Sequence, residues 1–317
     1  MMKPPLIILS GATAVGKTDL SIRLAKTIGG EIISADSMQV YKGFDIGTAK
    51  IRKDEMQNVP HYLIDELEPY EEFSVFEFQK RALSYIHSIH EKGRIPILAG
   101  GTGFYIQSVL YEIEFTSSET DIAYRRELEQ MAKEKGPQAL HRLLEEADPE
   151  AAGQIHANNV KRTIRALEYY RETGQCISLH NKQQRSRQPA FNAAYFVLNR
   201  NRAVIYDRID QRVDAMLQQG LVQEVRSLIE RGVSPDSLAM QGLGYKEIVR
   251  YLNHELTYEE AADLIKKSTR HFAKRQITWF RREQDVIWMN YEEYPSEEEM
   301  LSKMIDILKE KNIVPLS

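Results

Sequence analysis

Near its amino terminus the chain carries Gly11-Ala12-Thr13-Ala14-Val15-Gly16-Lys17-Thr18, a complete G-x-x-x-x-G-K-[ST] phosphate-binding loop. The apolar run 6–9 precedes it and the helix-like segment 19–28 follows it, which is the strand–loop–helix context that this motif requires. In such a loop the glycines let backbone N–H groups point at phosphate oxygens, Lys17 adds a positive charge and Thr18 can hold Mg²⁺. The motif therefore predicts a diphosphate or triphosphate site, and it leaves the reaction open.

The composition is that of a globular protein. The 317 residues are 42% hydrophobic and 28% charged, which suffices for a substantial core. No apolar stretch approaches the length of a membrane span, and the opening residues are too short for a signal peptide. Cys176 is the only cysteine, so internal disulfides and a cysteine-built zinc site are excluded. We expect a monomeric cytoplasmic protein that does not contact membranes.

Short apolar runs alternate with helix-like segments in the first third of the chain, a pattern typical of a parallel sheet with crossover helices. The predicted strands span 6–9, 31–35, 61–65, 95–99, 194–198 and 286–289. A helix is predicted over 73–92 with Ser74 as its N-cap, and further helices over 204–230 and 258–282. Between about 121 and 187 no strand candidate interrupts a series of helices.

These elements predict an α/β fold in which a P-loop NTPase-like parallel sheet core is interrupted by an α-helical insertion domain. The expected boundaries are 1–120 for the first part of the core, 121–190 for the insertion and 191–317 for the return to the core. Ser296 followed by Glu299 predicts a capping box that opens a surface helix at the carboxyl terminus.

Two further motifs follow predicted strands, where ligands of open α/β sheets gather. The first reads Ile32-Ile33-Ser34-Ala35-Asp36-Ser37-Met38-Gln39. Asp36 suits a magnesium carboxylate, a general base or a helix N-cap, and the amide of Gln39 suits the reading of a base edge. The second reads Ile97-Leu98-Ala99-Gly100-Gly101-Thr102-Gly103, either a tight structural turn or a turn that presents the Thr102 hydroxyl to a substrate.

Basic residues are unevenly distributed, although the formal net charge is −4. The segment 266–282 contains no acidic residue, and its seven lysines and arginines alternate with Phe272, Trp279 and Phe280. Two smaller clusters consist of Lys161, Arg162, Arg165 and Arg171, and of Lys182, Arg185 and Arg187. Any one cluster suits a solvated helix face, whereas three of them outside the phosphate loop favour a polyanionic partner.

With these motifs in order, the chain resembles the bacterial tRNA dimethylallyltransferase family, also called tRNA isopentenyl diphosphate transferases. The resemblance spans nearly the whole chain. The quoted segments are GATAVGKT at 11–18, DSMQVYKGFDIGTAK at 36–50, PHYLIDELEP at 60–69, GGTGFYIQSVLY at 100–111, HANNVKRTIRALE at 156–168, RIDQRVDAMLQQGLVQEV at 208–225, QGLGYKE at 241–247 and TRHFAKRQITWFRR at 269–282. The phosphate loop by itself is shared by many families, but the ordered set is highly specific.

The resemblance implies transfer of a dimethylallyl group from dimethylallyl diphosphate to N6 of adenosine 37, beside the anticodon of certain tRNAs. It implies that residues 11–18 hold the diphosphate leaving group, with Mg²⁺ on Thr18, and that Lys17 stabilises the departing charge. Asp36 would be the general base, and Thr102 a further contact to the reacting centre. One of Arg208 and Arg212 would join them, and the sequence does not choose between the two.

The same resemblance implies a set of contacts to the tRNA anticodon arm, from which the target adenine must leave the base stack. The implied contacts are Asp36, Ser37, Met38, Gln39, Thr102, Arg125, Lys161, Arg162, Thr163, Ile164, Arg165, Gln241, Gly242, Leu243, Gly244, Tyr245 and Lys246. Three alternatives stay open: an adenylate isopentenyltransferase acting on free nucleotides, an ATP-binding small-molecule kinase, and a non-catalytic RNA-binding module. The helical insertion and the basic clusters favour a macromolecular acceptor over a free nucleotide.

Overall fold

The computed structural model describes residues 3–115, 121–185 and 187–315, without the side chain of Arg185. The chain divides into two compact units, one formed by residues 1–112 and 189–317 and the other by residues 113–188. The first unit is an α/β core and the second is helical, so the predicted fold class is confirmed. No helix in the described ranges combines the length and the apolar character that crossing a bilayer requires.

Six parallel strands form one sheet in the first unit, in the order β3-β2-β4-β1-β5-β6. The strands are β1 (Pro5–Gly11), β2 (Glu31–Ala35), β3 (His61–Tyr62), β4 (Pro96–Gly100), β5 (Asn192–Asn199) and β6 (Val286–Asn290). The central strand β1 has Leu6, Ile7, Ile8 and Leu9 fully buried, as expected for a parallel strand covered on both faces. Because all strands are parallel, their carboxyl ends lie along one edge.

The predicted strand 61–65 is wrong beyond Tyr62. Leu63 and Asp65 have positive φ values of 60° and 54°, outside the extended region that a strand requires. The backbone N–H of Leu63 donates instead to the carboxylate of Glu66 at 2.6 Å. The five residues that were predicted as a strand therefore form a two-residue strand followed by a turn.

Helices cover both faces of this sheet. They are α1 (Lys17–Ile28), α2 (Val75–Glu91), α3 (Gly103–Leu110), α9 (Arg202–Gln218), α10 (Leu221–Glu230), α11 (Tyr245–Leu252), α12 (Tyr258–Phe280) and α13 (Glu297–Glu310), with α4 to α8 in the helical unit. Alternate residues of one strand face different cores: Ile8 belongs to the cluster beneath α2, α3 and α11, whereas Ile7 belongs to the cluster beneath α1 and α13. The helices α3 and α11 were not predicted.

Side-chain caps begin several helices where the sequence predicts them. Ser74 caps α2 and Ser296 caps α13, each accepting a backbone N–H three residues on at 3.2 Å. The reciprocal half of the predicted capping box at Glu299 is not formed. Thr257 and Glu260 form a complete capping box at the start of α12.

The helical unit, described over 113–115, 121–185 and 187–188, packs its own apolar core. Its helices are α4 (Ile122–Lys135), α5 (Pro137–Ala147), α6 (Pro149–Gln154), α7 (Val160–Thr173) and α8 (Ile177–Arg185). Leu128, Leu140, Leu144 and Leu167 form the centre of this core. The expected insertion boundary at residue 121 adjoins residues 116–120, which lie outside the described residues.

Candidate active site

Three loops meet at the carboxyl edge of the sheet because they follow the neighbouring strands β2, β4 and β1. The phosphate loop follows β1, Asp36 follows β2, and the turn 100–103 follows β4. The Thr102 N–H donates to the Ala35 carbonyl at 3.2 Å, which joins the turn to the residue before Asp36. Ser10, buried on β1, donates its hydroxyl to the Gly100 carbonyl at 2.8 Å. The fold thus brings together the three motifs that the sequence singled out.

The phosphate loop is held open by side chains that bind its carbonyl groups. Lys17 Nζ donates to the carbonyls of Gly11 and Ala12 at 3.0 and 2.8 Å. Arg208 Nε donates to the Ala14 carbonyl at 2.8 Å, and Arg200 Nε donates to the Val15 carbonyl at 3.0 Å. With the carbonyls engaged from outside, the backbone N–H groups of Ala14, Gly16, Lys17 and Thr18 have no acceptor among the described residues. These N–H groups form the anion cradle that the motif predicts.

Lys17 carries an unusual charge balance. Burial and the nearby Arg212 guanidinium lower the pKa of Lys17 to about 7, while Asp36 opposes this shift. The pKa of Arg212 is itself lowered by burial and by Arg208, with Asp19 opposing. Lys17, Arg208 and Arg212 therefore share one partly buried region with the two carboxylates of Asp36 and Asp19, and the cations outnumber the carboxylates. Such a region favours a polyanionic ligand.

The two arginines left open by the sequence have different surroundings. The Arg208 guanidinium is engaged by the Ala14 carbonyl of the loop. Arg212 lies one helical turn further along α9, is partly buried, and has no hydrogen-bond partner within the described ranges. Arg212 therefore has all of its donors available to a ligand, whereas Arg208 has its Nε–H engaged by the loop.

Asp36 is oriented by its own loop. Its Oδ1 accepts the backbone N–H groups of Met38 and Gln39 at 2.8 and 3.3 Å, which leaves Oδ2 without a partner in the described part of the chain. Burial raises the pKa of Asp36, and the two amides, Lys17 and Lys50 partly offset that rise. The carboxylate thus combines a fixed direction with a raised affinity for a proton, as a general base requires.

Thr102 stands at the N-cap position of α3, yet its hydroxyl makes no capping hydrogen bond. The hydroxyl is free for a ligand beside Asp36. The glycines around it are required by close packing: a Cβ on Gly100 would lie 2.2 Å from the Ala35 carbonyl oxygen, and one on Gly103 would lie 2.2 Å from the Trp279 ring. The glycines of this turn are therefore structural, and a substrate contact by Thr102 stays a prediction.

Sequence reasoning missed two residues of this region. Gln276 on α12 accepts the Thr13 N–H at 2.8 Å and donates to the Gly101 carbonyl at 2.9 Å. Arg200, which binds the Val15 carbonyl, also stacks on Tyr291 with its guanidinium 3.3 Å from the ring centroid. Gln276 lies within the quoted segment 269–282, but the sequence prediction for that segment depended on its lysines and arginines and not on the glutamine.

The fold also brings the segment 241–247 against the loop after β2. A Cβ on Gly242 would lie 2.8 Å from the Met38 methyl group, so a larger residue at 242 would displace the end of the Met38 side chain. The Tyr245 side chain is buried and donates its hydroxyl to Glu224 at 2.6 Å. A direct tRNA contact by that side chain is therefore corrected to a structural role.

The remaining residues of the segments 36–39 and 241–247 differ in their hydrogen bonding and exposure. Gln39 has both ends of its amide bonded internally, its Oε1 to the Ser34 hydroxyl and its Nε2 to the Thr48 carbonyl. The Gln241 amide donates to the Pro235 carbonyl at 3.0 Å, and Lys246 lies exposed. Ser37 and Leu243 are half-buried, and Gly244 begins α11 with φ 89°.

In the helical unit, α7 presents three of its predicted contacts to solvent. Lys161, Arg162 and Arg165 are exposed, whereas Thr163 and Ile164 point into the core. A tRNA contact by the side chains of Thr163 and Ile164 is corrected, since the helix period turns them inward. Arg125 makes two hydrogen bonds of 2.7 and 2.8 Å to the buried carboxylate of Glu168.

Five of the seven lysines and arginines in the basic segment 266–282 fall into two parts. Lys266 and Arg270 pair with Asp214 and Asp210 on α9, each at 2.6 Å, so these two cations stabilise helix packing. The other part lines an open cavity of about 500 Å³ formed by His271, Lys274, Arg275, Thr278, Trp279 and Arg282. This cavity combines positive charge with an aromatic face, which suits a nucleic-acid backbone and its bases.

The residues present fit Mg²⁺ only as a partner of a bound ligand. Within the described ranges no three His, Cys, Asp or Glu side chains assemble as metal ligands. Thr18 is exposed at the start of α1, next to the unbonded amides. Mg²⁺ commonly keeps several waters and binds through one protein group plus substrate phosphates, and this arrangement would allow that.

Comparison with known proteins identifies close relatives. The model of the IPP transferase family matches residues 39–283. The tRNA dimethylallyltransferases of Lachnoclostridium phytofermentans and Clostridioides difficile are 56% and 48% identical, each over 98% of this chain and 99% of their own length. The crystal structure of the tRNA isopentenylpyrophosphate transferase of Bacillus halodurans is 43% identical, with a TM-score of 0.72 over 98% of both chains. A eukaryotic dimethylallyltransferase acting on tRNA aligns over 97% of this chain and 80% of its own, at 27% identity and a TM-score of 0.82.

Proposed function

The chain belongs to the IPP transferase family, and from that premise we propose how it acts as a tRNA dimethylallyltransferase. It transfers the dimethylallyl group of dimethylallyl diphosphate to N6 of adenosine 37 in tRNA and releases diphosphate. The observation that carries the proposal is the meeting of an anion cradle, an oriented carboxylate and a free hydroxyl at one sheet edge. Because tRNA is the acceptor, we place the activity in the cytoplasm.

The donor binds with its diphosphate in the loop 11–18. The free N–H groups at Ala14 and Gly16 and the start of α1 bind the phosphate oxygens, and Lys17 and Arg212 neutralise the charge that grows on the leaving group. Thr18 would hold Mg²⁺ together with diphosphate oxygens, and the ion would supply further charge stabilisation. Arg208 and Arg200 keep the loop carbonyls turned away.

In the transfer step the bond between the allylic C1 and the diphosphate oxygen breaks, and its electron pair leaves with diphosphate. The N6 lone pair forms the new bond to C1, and the N6 proton passes to Asp36. The free Oδ2 and the raised pKa of Asp36 support this role. The uncapped hydroxyl of Thr102 supports a contact with the reacting centre.

The acceptor adenine must leave the stack of the anticodon arm to reach this site. We propose that Lys161, Arg162 and Arg165 bind the RNA backbone in the helical unit. In the core, the cavity along α12 binds it through Lys274, Arg275 and Arg282. Ser37, Met38, Gln241 and Lys246 are proposed to contact the anticodon loop.

The test supplies the protein with Mg²⁺ and labelled dimethylallyl diphosphate, and offers three acceptors in parallel. They are an unmodified tRNA with adenosine at positions 36 and 37, the same tRNA with guanosine at position 37, and free AMP. We expect label on the first tRNA only. Label on AMP indicates a free-nucleotide enzyme, and transfer to none of the three acceptors indicates the ATP-binding kinase instead.

A further inference from the structure

Gln276 occupies a position that joins two parts of the active site. The residue lies on α12 and is 7% exposed. Its carboxamide is used at both ends: Oε1 accepts the Thr13 N–H at 2.8 Å, and Nε2 donates to the Gly101 carbonyl at 2.9 Å. One side chain thus connects the diphosphate loop to the turn that carries Thr102.

Gln276 connects the phosphate loop and the turn 100–103 just beyond the end of the hydrogen-bonded ladder between β1 and β4. The ladder between β1 and β4 ends at the pair Ser10 and Gly100, and Thr13 and Gly101 lie beyond it. Past that point Gln276 takes over the pairing of backbone groups. The fit is close, because a Cβ on Gly101 would lie 2.2 Å from Gln276 Nε2.

The turn 100–103 is also hydrogen-bonded to the residue that precedes Asp36. Thr102, which follows Gly101, donates its N–H to the carbonyl of Ala35, the residue before Asp36. A continuous path of hydrogen bonds and peptide bonds therefore runs from Thr13 through Gln276 and the turn to Asp36. The leaving group and the base lie at the two ends of this path.

We propose that Gln276 is a positioning residue that sets the distance between the leaving diphosphate and the acceptor-side groups. The proposal rests on the proposed function. Only a side chain with a strong acceptor and a donor at the reach of glutamine satisfies both backbone groups, because asparagine is one methylene shorter and methionine has no donor and only a weakly accepting sulfur. Loss of the bridge leaves each loop in place and lets their separation vary, which slows a reaction that requires aligned atoms.

The experiment compares Gln276→Met and Gln276→Asn with the matched control Asp263→Asn. Asp263 is exposed on the same helix. Single-turnover transfer is measured with donor and tRNA both saturating, alongside the affinity for each substrate and the thermal unfolding midpoint. Hydrogen exchange at the Thr13 amide reports the bridge directly, without any chemistry.

For both Gln276 variants we expect the saturated transfer rate to fall about 100-fold, with donor and tRNA affinities within about fivefold of wild type. Thr13 exchange is expected to accelerate in Gln276→Met, and Asp263→Asn to match wild type in every measurement. A saturated rate within threefold of wild type overturns the proposal, as does a loss confined to donor affinity. If the wild-type protein itself transfers no label, the proposed function fails. The bridge is tested separately in that case: unchanged Thr13 exchange in Gln276→Met shows that Gln276 does not hold the Thr13 amide.

Discussion

The lowered pKa of Lys17 gives donor binding a defined pH dependence. In the free enzyme this pKa is about 7, because of burial and the Arg212 charge. A bound diphosphate favours the charged ammonium and raises the pKa again. Below pH 7 Lys17 is already charged and affinity is at its maximum. Above pH 7 binding must take up a proton, so affinity falls as pH rises.

The magnitude follows from the charged fraction of Lys17. With a pKa of about 7, that fraction falls from about three quarters at pH 6.5 to about 3% at pH 8.5. Donor affinity should therefore decrease about 25-fold over this range, roughly 2 kcal/mol. The terminal phosphate of the donor has a pKa near 6, so about three quarters of it is ionised at pH 6.5 and nearly all at pH 8.5, which reduces the expected decrease only to about 20-fold.

Titration calorimetry with dimethylallyl diphosphate at constant excess Mg²⁺ measures both quantities. Repeating each titration in buffers of different ionisation enthalpy counts the protons, and we expect about one proton taken up at pH 8.5 and almost none at pH 6.5, where proton loss from the donor phosphate offsets the uptake by Lys17. Lys17→Arg is the control, because a guanidinium stays charged throughout and removes the pH dependence. Arg212→Gln should move the affinity profile to higher pH, since it removes a cation that lowers the pKa.

Equal affinities at the two pH values, with no proton uptake at pH 8.5, would refute this reasoning. Lys17 would then be charged throughout the free enzyme, and the crowding of cations around it would lack the effect assigned to it. An unchanged profile in Arg212→Gln would specifically contradict the influence of Arg212.

Three further predictions concern the base, the helical unit and the RNA surface. Asp36→Asn keeps the side-chain shape and removes the proton acceptor, so single-turnover transfer should fall at least about 100-fold while tRNA affinity by filter binding stays within threefold; undiminished transfer would exclude the base role. Arg125→Ala leaves a buried carboxylate unpaired and should destabilise the helical unit by about 2–3 kcal/mol in urea unfolding followed by circular dichroism, against no change for the exposed Arg126→Ala. Lys161→Gln should reduce the slope of log tRNA affinity against log salt concentration by about one, whereas Lys303→Gln on α13 should leave it unchanged.

Much of the core follows from local sequence. The predicted strand 31–35 coincides with β2, and the runs at 194–198 and 286–289 lie within β5 and β6, because short runs rich in apolar residues are typical of strands covered on both faces of a parallel sheet. The phosphate loop is equally local, since its conformation depends on neighbouring glycines and the helix that follows. The Ser74 cap could be predicted because it binds a residue only three positions away.

Other features depend on which faces of the helices meet. Thr163 and Ile164 sit among exposed basic residues in sequence, and only the packing of α7 shows that they point inward. The short helices α3 and α11 were missed because their glycine-rich starts read as turns. Tyr245 lay in a motif assigned to tRNA, yet its hydroxyl is used to bind Glu224.

The sequence by itself predicted the chemical groups of the candidate site: an anion cradle at residues 11–18, a carboxylate at Asp36 and a hydroxyl at Thr102, each placed after a strand. Only the tertiary structure decided how these groups are held relative to one another. Gln276 lies 263 positions from Thr13 and 175 from Gly101, and its two hydrogen bonds exist because α12 packs across both loops. A contact between distant segments leaves no periodic or local pattern in a single chain, because packing in three dimensions alone brings those groups within bonding distance.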